Sequence, residues 1–155
     1  MLKSLCMFCI CFVVGGAGMQ DTEKAVCEYL PEVEQIVIYS NSTEFCYAKG
    51  EEEFESVMSV LYDSIKESRE MPAFGVSLDN ETRIALKTGV WLELVFGAQK
   101  EKGVMVFERL LFQIAPNCYG VNLIRYNNGK YDGRCFYLDI PLSLDGLYKE
   151  VLSLI

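Results

Sequence analysis

Apolar and polar residues alternate along this chain with two periods, and the changes between them mark out the elements. From Glu51 to Arg69, the residues Phe54, Val57, Met58, Leu61, Tyr62 and Ile65 recur every three or four positions, the stripe of an amphipathic helix. Glu51, Glu52 and Glu53 fall in its first turn, and Lys66 and Arg69 in its last, which suits the helix dipole at both ends. Beyond Pro141 the pattern returns in Leu144, Leu147, Tyr148, Val151 and Leu152, with Ser143 or Asp145 placed to cap the helix. A shorter helix is expected over Gln20–Leu30, ended by Pro31.

Between these helices the period falls to two. Val33–Tyr39 reads as a strand, Ser40-Asn41-Ser42 as a turn and Glu44–Ala48 as the returning strand. Phe74–Leu78 is expected to be extended, with a turn at Asp79-Asn80-Glu81. Thr82–Lys87 reads as a further strand, the alternative being a short helix capped by Asp79. Val90–Phe96 and Val104–Ala115 form a hairpin about the polar loop Gln99–Gly103.

The firmest turn lies inside Tyr119–Ile140, where Asn128-Gly129 separates two runs of aromatic and β-branched residues. Both central residues of a type I′ turn need positive φ, and Asn-Gly supplies them. The register that follows places Tyr126 opposite Tyr131, Arg125 opposite Asp132, Leu123 opposite Arg134 and Val121 opposite Phe136. In order the chain is α-β-β-α, an antiparallel meander, then α. This predicts an α+β fold, a twisted antiparallel sheet ending in a C-terminal hairpin with two to three helices packed on one face.

The N-terminus stands apart. Residues 1–18 combine Lys3, an apolar run from Leu5 to Val14 and a small-residue exit, Gly15-Gly16-Ala17-Gly18. That composition reads as a secretory signal peptide cleaved before Met19, leaving a single domain over 19–155 and an extracytoplasmic or secreted protein. The alternatives are an uncleaved leader, which would be the chain's only hold on a membrane, and a cytoplasmic protein that starts at Met19. Cys6, Cys9 and Cys11 within this leader match no zinc spacing.

Charge and composition then narrow the function. The net charge of −8 and a pI near 4.6 deny a nucleic-acid backbone the basic face it needs. The chain has no histidine, which excludes Ser-His-Asp and Cys-His catalysis and any histidine metal site. There is no Gly-rich phosphate loop, nucleophile elbow or calcium loop, so no catalytic residue, metal or cofactor is assigned. Cys27, Cys46, Cys118 and Cys135 allow up to two disulfides, the alternative being buried thiols; four residues of strand separate Cys118 from Cys135 in the expected register, too far to bridge. Asn41-Ser42-Thr43 and Asn80-Glu81-Thr82 have the form of N-glycosylation acceptors, a pattern that also recurs by chance.

Two groups of residues carry candidate chemistry. Glu93 and Glu108 interrupt apolar strands, and with Asp132 and Asp139 they could supply a carboxylate-dependent hydrolase. Alternation puts Glu93 on the face of Trp91 and Val95, where a solvent-side ion pair with Arg109 or a Lys is the simpler expectation. Tyr126, Tyr131, Arg125 and Arg134 give the C-terminal hairpin an aromatic and Arg-rich surface of the kind enriched at interfaces. The leading expectation is therefore a small exported domain, without catalysis, that binds a protein or cell-envelope component through its sheet face or hairpin edge. A hydrolase and a cytoplasmic regulatory protein are the alternatives.

Overall fold

The computed structural model describes residues 24–72 and 75–155. The leader with Cys6, Cys9 and Cys11, the start of the helix expected from Gln20, and Phe74 lie outside the described residues. The remaining chain forms one seven-stranded antiparallel sheet, a two-stranded ribbon and four helical segments, the α+β arrangement the periodicities indicate.

A 3₁₀ turn, Val26–Glu32, replaces the expected α-helix, with Pro31 inside it. Strands β1 (Val33–Ser40) and β2 (Thr43–Ala48) then form a hairpin whose tip, Asn41 and Ser42, has both φ values positive (46° and 68°). Helix α1 (Glu52–Ile65) follows, stopping short of Arg69, which opens the edge strand β3 (Arg69–Met71). Next come β4 (Val76–Ser77) and α2 (Asp79–Ala85). Strands β5 (Val90–Lys102) and β6 (Met105–Ile114) form the central hairpin. The chain ends with β7 (Gly120–Tyr126), β8 (Gly133–Arg134), β9 (Phe136–Asp139) and α3 (Asp145–Leu152). The sheet order is β2-β1-β5-β6-β7-β9-β3, and β4 pairs only with β8.

The main core lies on one face of the sheet. There Leu92, Leu94 and Phe96 of β5 meet Phe54, Val57, Leu61 and Ile65 of α1 and Leu147 and Val151 of α3. The alternation of β5 fixes this face, because successive side chains of a strand point to opposite sides. Trp91, with Leu111 and Tyr131, builds a second and smaller core on the opposite face.

Three expectations are corrected. Thr82–Lys87 is not a strand, because Asp79–Ala85 is helical; Asp79 heads that helix and spends its carboxylate elsewhere, accepting from the Tyr131 backbone N–H at 2.8 Å and pairing with Arg83 at 2.9 Å. The C-terminal register also moves. The turn is where Asn128-Gly129 puts it (φ 49° and 80°), and Asn127 faces Lys130, but Leu123 pairs with Phe136 and Val121 with Leu138, two residues beyond the expected partners. The extra residues are taken up at Tyr131–Arg134, where Gly133 has φ +94° and β8 turns away to pair with β4. Arg125 fills the opening, donating from Nε to the Arg134 carbonyl at 2.6 Å and from Nη1 to the Val106 carbonyl at 2.8 Å.

The third correction concerns the disulfides. Cys27, Cys46, Cys118 and Cys135 are all free thiols. Cys46 is exposed on edge strand β2, Cys27 belongs to the 3₁₀ turn, Cys118 donates to the Gly120 carbonyl at 3.0 Å, and Cys135 is buried behind β4. Among the described residues no helix is long and apolar enough to cross a membrane.

Candidate functional site

The face opposite α1 and α3 carries the residues of interest. Its base is the outward side of β5, and its cover is α2 with the Tyr131–Arg134 bulge. Glu93 sits between the two and is 0% exposed. Tyr131 Oη donates to Glu93 Oε1 at 2.6 Å, Tyr39 Oη donates to Oε2 at 2.8 Å, and Arg109 Nη1 reaches the same oxygen at 3.3 Å. The expected partner Arg109 is therefore present, but the expected solvent is not. A buried carboxylate survives only when its lone pairs are met, and here two phenols and a guanidinium meet them.

Each donor arrives for a sequence-level reason. Tyr39 stands opposite Trp91 in the β1–β5 register, two pairs from Val37 opposite Glu93 and so on the same face, and the outward alternation of β1 delivers its ring to that neighbourhood. Arg109 lies opposite Val95, two residues along β5 from Glu93. Tyr131 comes from the bulge and packs on Tyr126, ring centroids 4.8 Å apart. Arg109 lies over the Tyr126 ring at 4.6 Å and Arg83 over the Tyr131 ring at 5.3 Å.

Of the four residues expected to form a binding surface, the structure brings Tyr126 and Tyr131 together. Tyr131 is buried at 3% exposure rather than displayed. Arg125 is committed to backbone carbonyls, and Arg134 is exposed on β8 opposite Val76. Of the candidate carboxylates, Asp132 and Asp139 are exposed and Glu108 is half-buried, and none is among the hydrogen-bond partners of Glu93. Among the described residues no group of three or more Cys, Asp or Glu side chains is arranged to hold a metal ion.

Burial, then the neighbouring Glu93 charge, pushes the Tyr39 and Tyr131 phenols far above the ordinary tyrosine value of 10.0. Because the folded values are raised, the stabilisation is complete below about pH 10, where the unfolded chain also keeps these protons, and is lost as pH climbs beyond it. Two of the nine tyrosines should thus resist ionisation in a titration followed at 295 nm until the protein unfolds. Complete ionisation of all nine near the ordinary value, in protein still folded by circular dichroism, would contradict the sealed cluster.

Beside this cluster the same face is open. A depression of ≈390 Å³ lies between β4, α2 and the sheet, walled by Val76, Leu78, Thr82, Ala85, Trp91 and Ile124. A second, of ≈240 Å³, continues past Cys118, Gly120 and Gln113. Trp91, Asn122 and Ile124 line both, so the two adjoin, and together they make up the trough of this face. Its polar wall atoms are partly spent internally. Trp91 Nε1 donates to the Thr88 carbonyl at 2.9 Å, and Ser77 Oγ to the Gly133 carbonyl at 3.3 Å. Burial raises the Cys135 thiol at its base, which keeps it protonated and poorly nucleophilic. Val76 and Leu78 in its wall are exposed, at 68% and 62%.

The trough was missed in the sequence because it joins residues from β4, α2, β5 and β7. The one available signal was the run Val76-Ser77-Leu78, apolar residues beside a helix with no partner for them. No family model matches the chain, and no curated protein or solved structure matches it significantly.

Proposed function

We propose that the chain is an exported, non-catalytic binding domain that holds an apolar chain with an anionic head, of the kind a cell envelope supplies, in the trough on its outer sheet face. The observation that carries this reading is the trough itself, an apolar concavity within the size range of ligand sites and bordered by exposed apolar residues. A peptide lying there would bury backbone N–H and C=O groups against walls whose Trp91 and Ser77 donors are already committed. A hydrocarbon chain makes no such demand. Arg134 pairs with Val76 across β4 and β8, and paired residues of antiparallel strands share a side, so its exposed guanidinium stands at the rim where an anionic head would end.

The non-catalytic part rests on the sealing of Glu93 and on the placement of Asp132 and Asp139 in solvent, away from any shared pocket with it. Export rests on the composition of residues 1–18.

Trp91 is the only tryptophan and lines both halves of the trough, so its emission reports occupancy directly. Titration with dodecanoate below its micellar concentration should give a saturable shift in that emission. Ile124→Arg should abolish it. Arg134→Ala should weaken dodecanoate about three- to fivefold, the size of an exposed ion pair, and leave dodecanol unchanged. An emission spectrum indifferent to dodecanoate, dodecanol and an apolar peptide alike would end the reading. A response to the peptide alone would replace the hydrocarbon with a protein partner.

A further inference from the structure

Resting on the trough as the binding site, we infer that residues 76–88, which comprise β4 and α2, form a strap that lifts from the sheet face to admit the ligand and closes over it. The strap is fastened unlike the rest of the fold. Of its residues only Ser77 and Thr82 are buried, whereas Leu78 and Ile84 point their apolar bulk to solvent. Ala85 and Leu86 give it a partial apolar footing on Trp91, Leu111 and Tyr131. Beside that footing, between the segment and the sheet, lies the ≈390 Å³ depression. A helix held by apolar burial shows the reverse pattern, with its large residues inside and no gap below.

What closes the strap is a set of polar clips. Asp79 accepts from the Tyr131 N–H at 2.8 Å, Arg83 Nη2 donates to the Gly129 carbonyl at 2.9 Å, and Gly75 accepts from the Cys135 N–H at 2.9 Å. Through Tyr131 Oη these clips connect to the buried Glu93 carboxylate at 2.6 Å. Glycines bracket the segment at 75 and 89, and Gly89 has φ +75°, a conformation open to few other residues. A segment with few buried apolar groups, solvent-reachable hydrogen bonds and glycine ends is what local opening requires.

Hydrogen exchange of the ligand-free protein tests the strap without reference to any ligand. Amides of 80–88 should exchange at least about a hundredfold faster than those of β5 and β6, through an opening that leaves the core protected. Asp79→Ala, which removes the Tyr131 clip and the Arg83 pair from a half-buried position, should speed exchange of 80–88 by a further factor of about ten and leave β5 and β6 unchanged. Saturating dodecanoate should slow it. Equal protection of 80–88 and the core would overturn the strap, whether or not dodecanoate binds. Fast exchange that dodecanoate fails to slow, while Trp91 emission shows binding, would show an opening unconnected with the ligand and would overturn the gating role. If no probe shifts Trp91 while 80–88 exchanges fast, the binding reading fails and the strap, as a gate for it, fails with it.

Discussion

Replacing Phe107 by Ala should lower the free energy of unfolding by about 4 kcal/mol, within the ~3–5 kcal/mol span of buried Phe truncations. Phe107 is 0% exposed and is the hub of the core's aromatic contacts. Its ring meets Tyr29 at 5.5 Å, Phe96 at 5.4 Å and Phe136 at 5.6 Å, each in an edge-to-face arrangement with interplanar angles of 75° to 78°. Those partners belong to the 3₁₀ turn, β5 and β9, so one side chain joins four parts of the chain. The backbone explains why the hub is here. Val95 pairs with Arg109 but the next pair is Lys100 with Phe107, so β5 spends five residues where β6 spends two, and the hairpin bends. Relaxation of the walls into the vacated space would have to move all four elements, so the cavity term should be kept nearly whole. Urea unfolding followed by circular dichroism measures the loss, with Val104→Ala, at a 99% exposed turn position, as a control near zero. A loss under about 1 kcal/mol would mean that the ring is not enclosed as described.

The fold was legible wherever a single segment carries its own periodic signal. The α1 stripe, the β5–β6 hairpin and the Asn128-Gly129 turn are of this kind. Helix α2 was not, because it presents no apolar stripe: Leu78 and Ile84 face solvent, and polar clips hold it instead. The two-residue shift in the last hairpin was hidden for a related reason. Gly133 permits the bulge, but the pull comes from β4, a strand more than fifty residues away in sequence, 133 against 77. Glu93 shows the limit most plainly. Alternation assigns it correctly to the face of Trp91, yet whether that face is wet depends on Tyr131, 38 residues on, and Tyr39, 54 residues back. Nothing local to β5 encodes either.

Glu93→Ala should cost about 4 kcal/mol, and the manner of the loss should identify its cause. The substitution takes the carboxylate acceptor from the buried Tyr131 hydroxyl and leaves it only the neighbouring Tyr39 hydroxyl, at ~1–3 kcal/mol. The Tyr39 hydroxyl is half-buried and loses less, and Arg109, with 37% of its side chain exposed, can turn to water and adds little. The space left by the carboxylate supplies the remainder. Tyr131→Phe removes one donor and leaves Glu93 two others, so about 2 kcal/mol is expected, the value of a hydrogen bond to a charged group. The two changes should not add. In the Glu93→Ala background the Tyr131 hydroxyl has already lost its carboxylate acceptor, and removing it should cost far less than in the native protein. Because Tyr131 also anchors Asp79, loss of Glu93 should loosen α2 before it loosens the main core across the sheet. A double-mutant cycle in urea decides it: strict additivity, or a Glu93→Ala loss below about 1 kcal/mol, would place Glu93 in solvent rather than at the centre of the outer face.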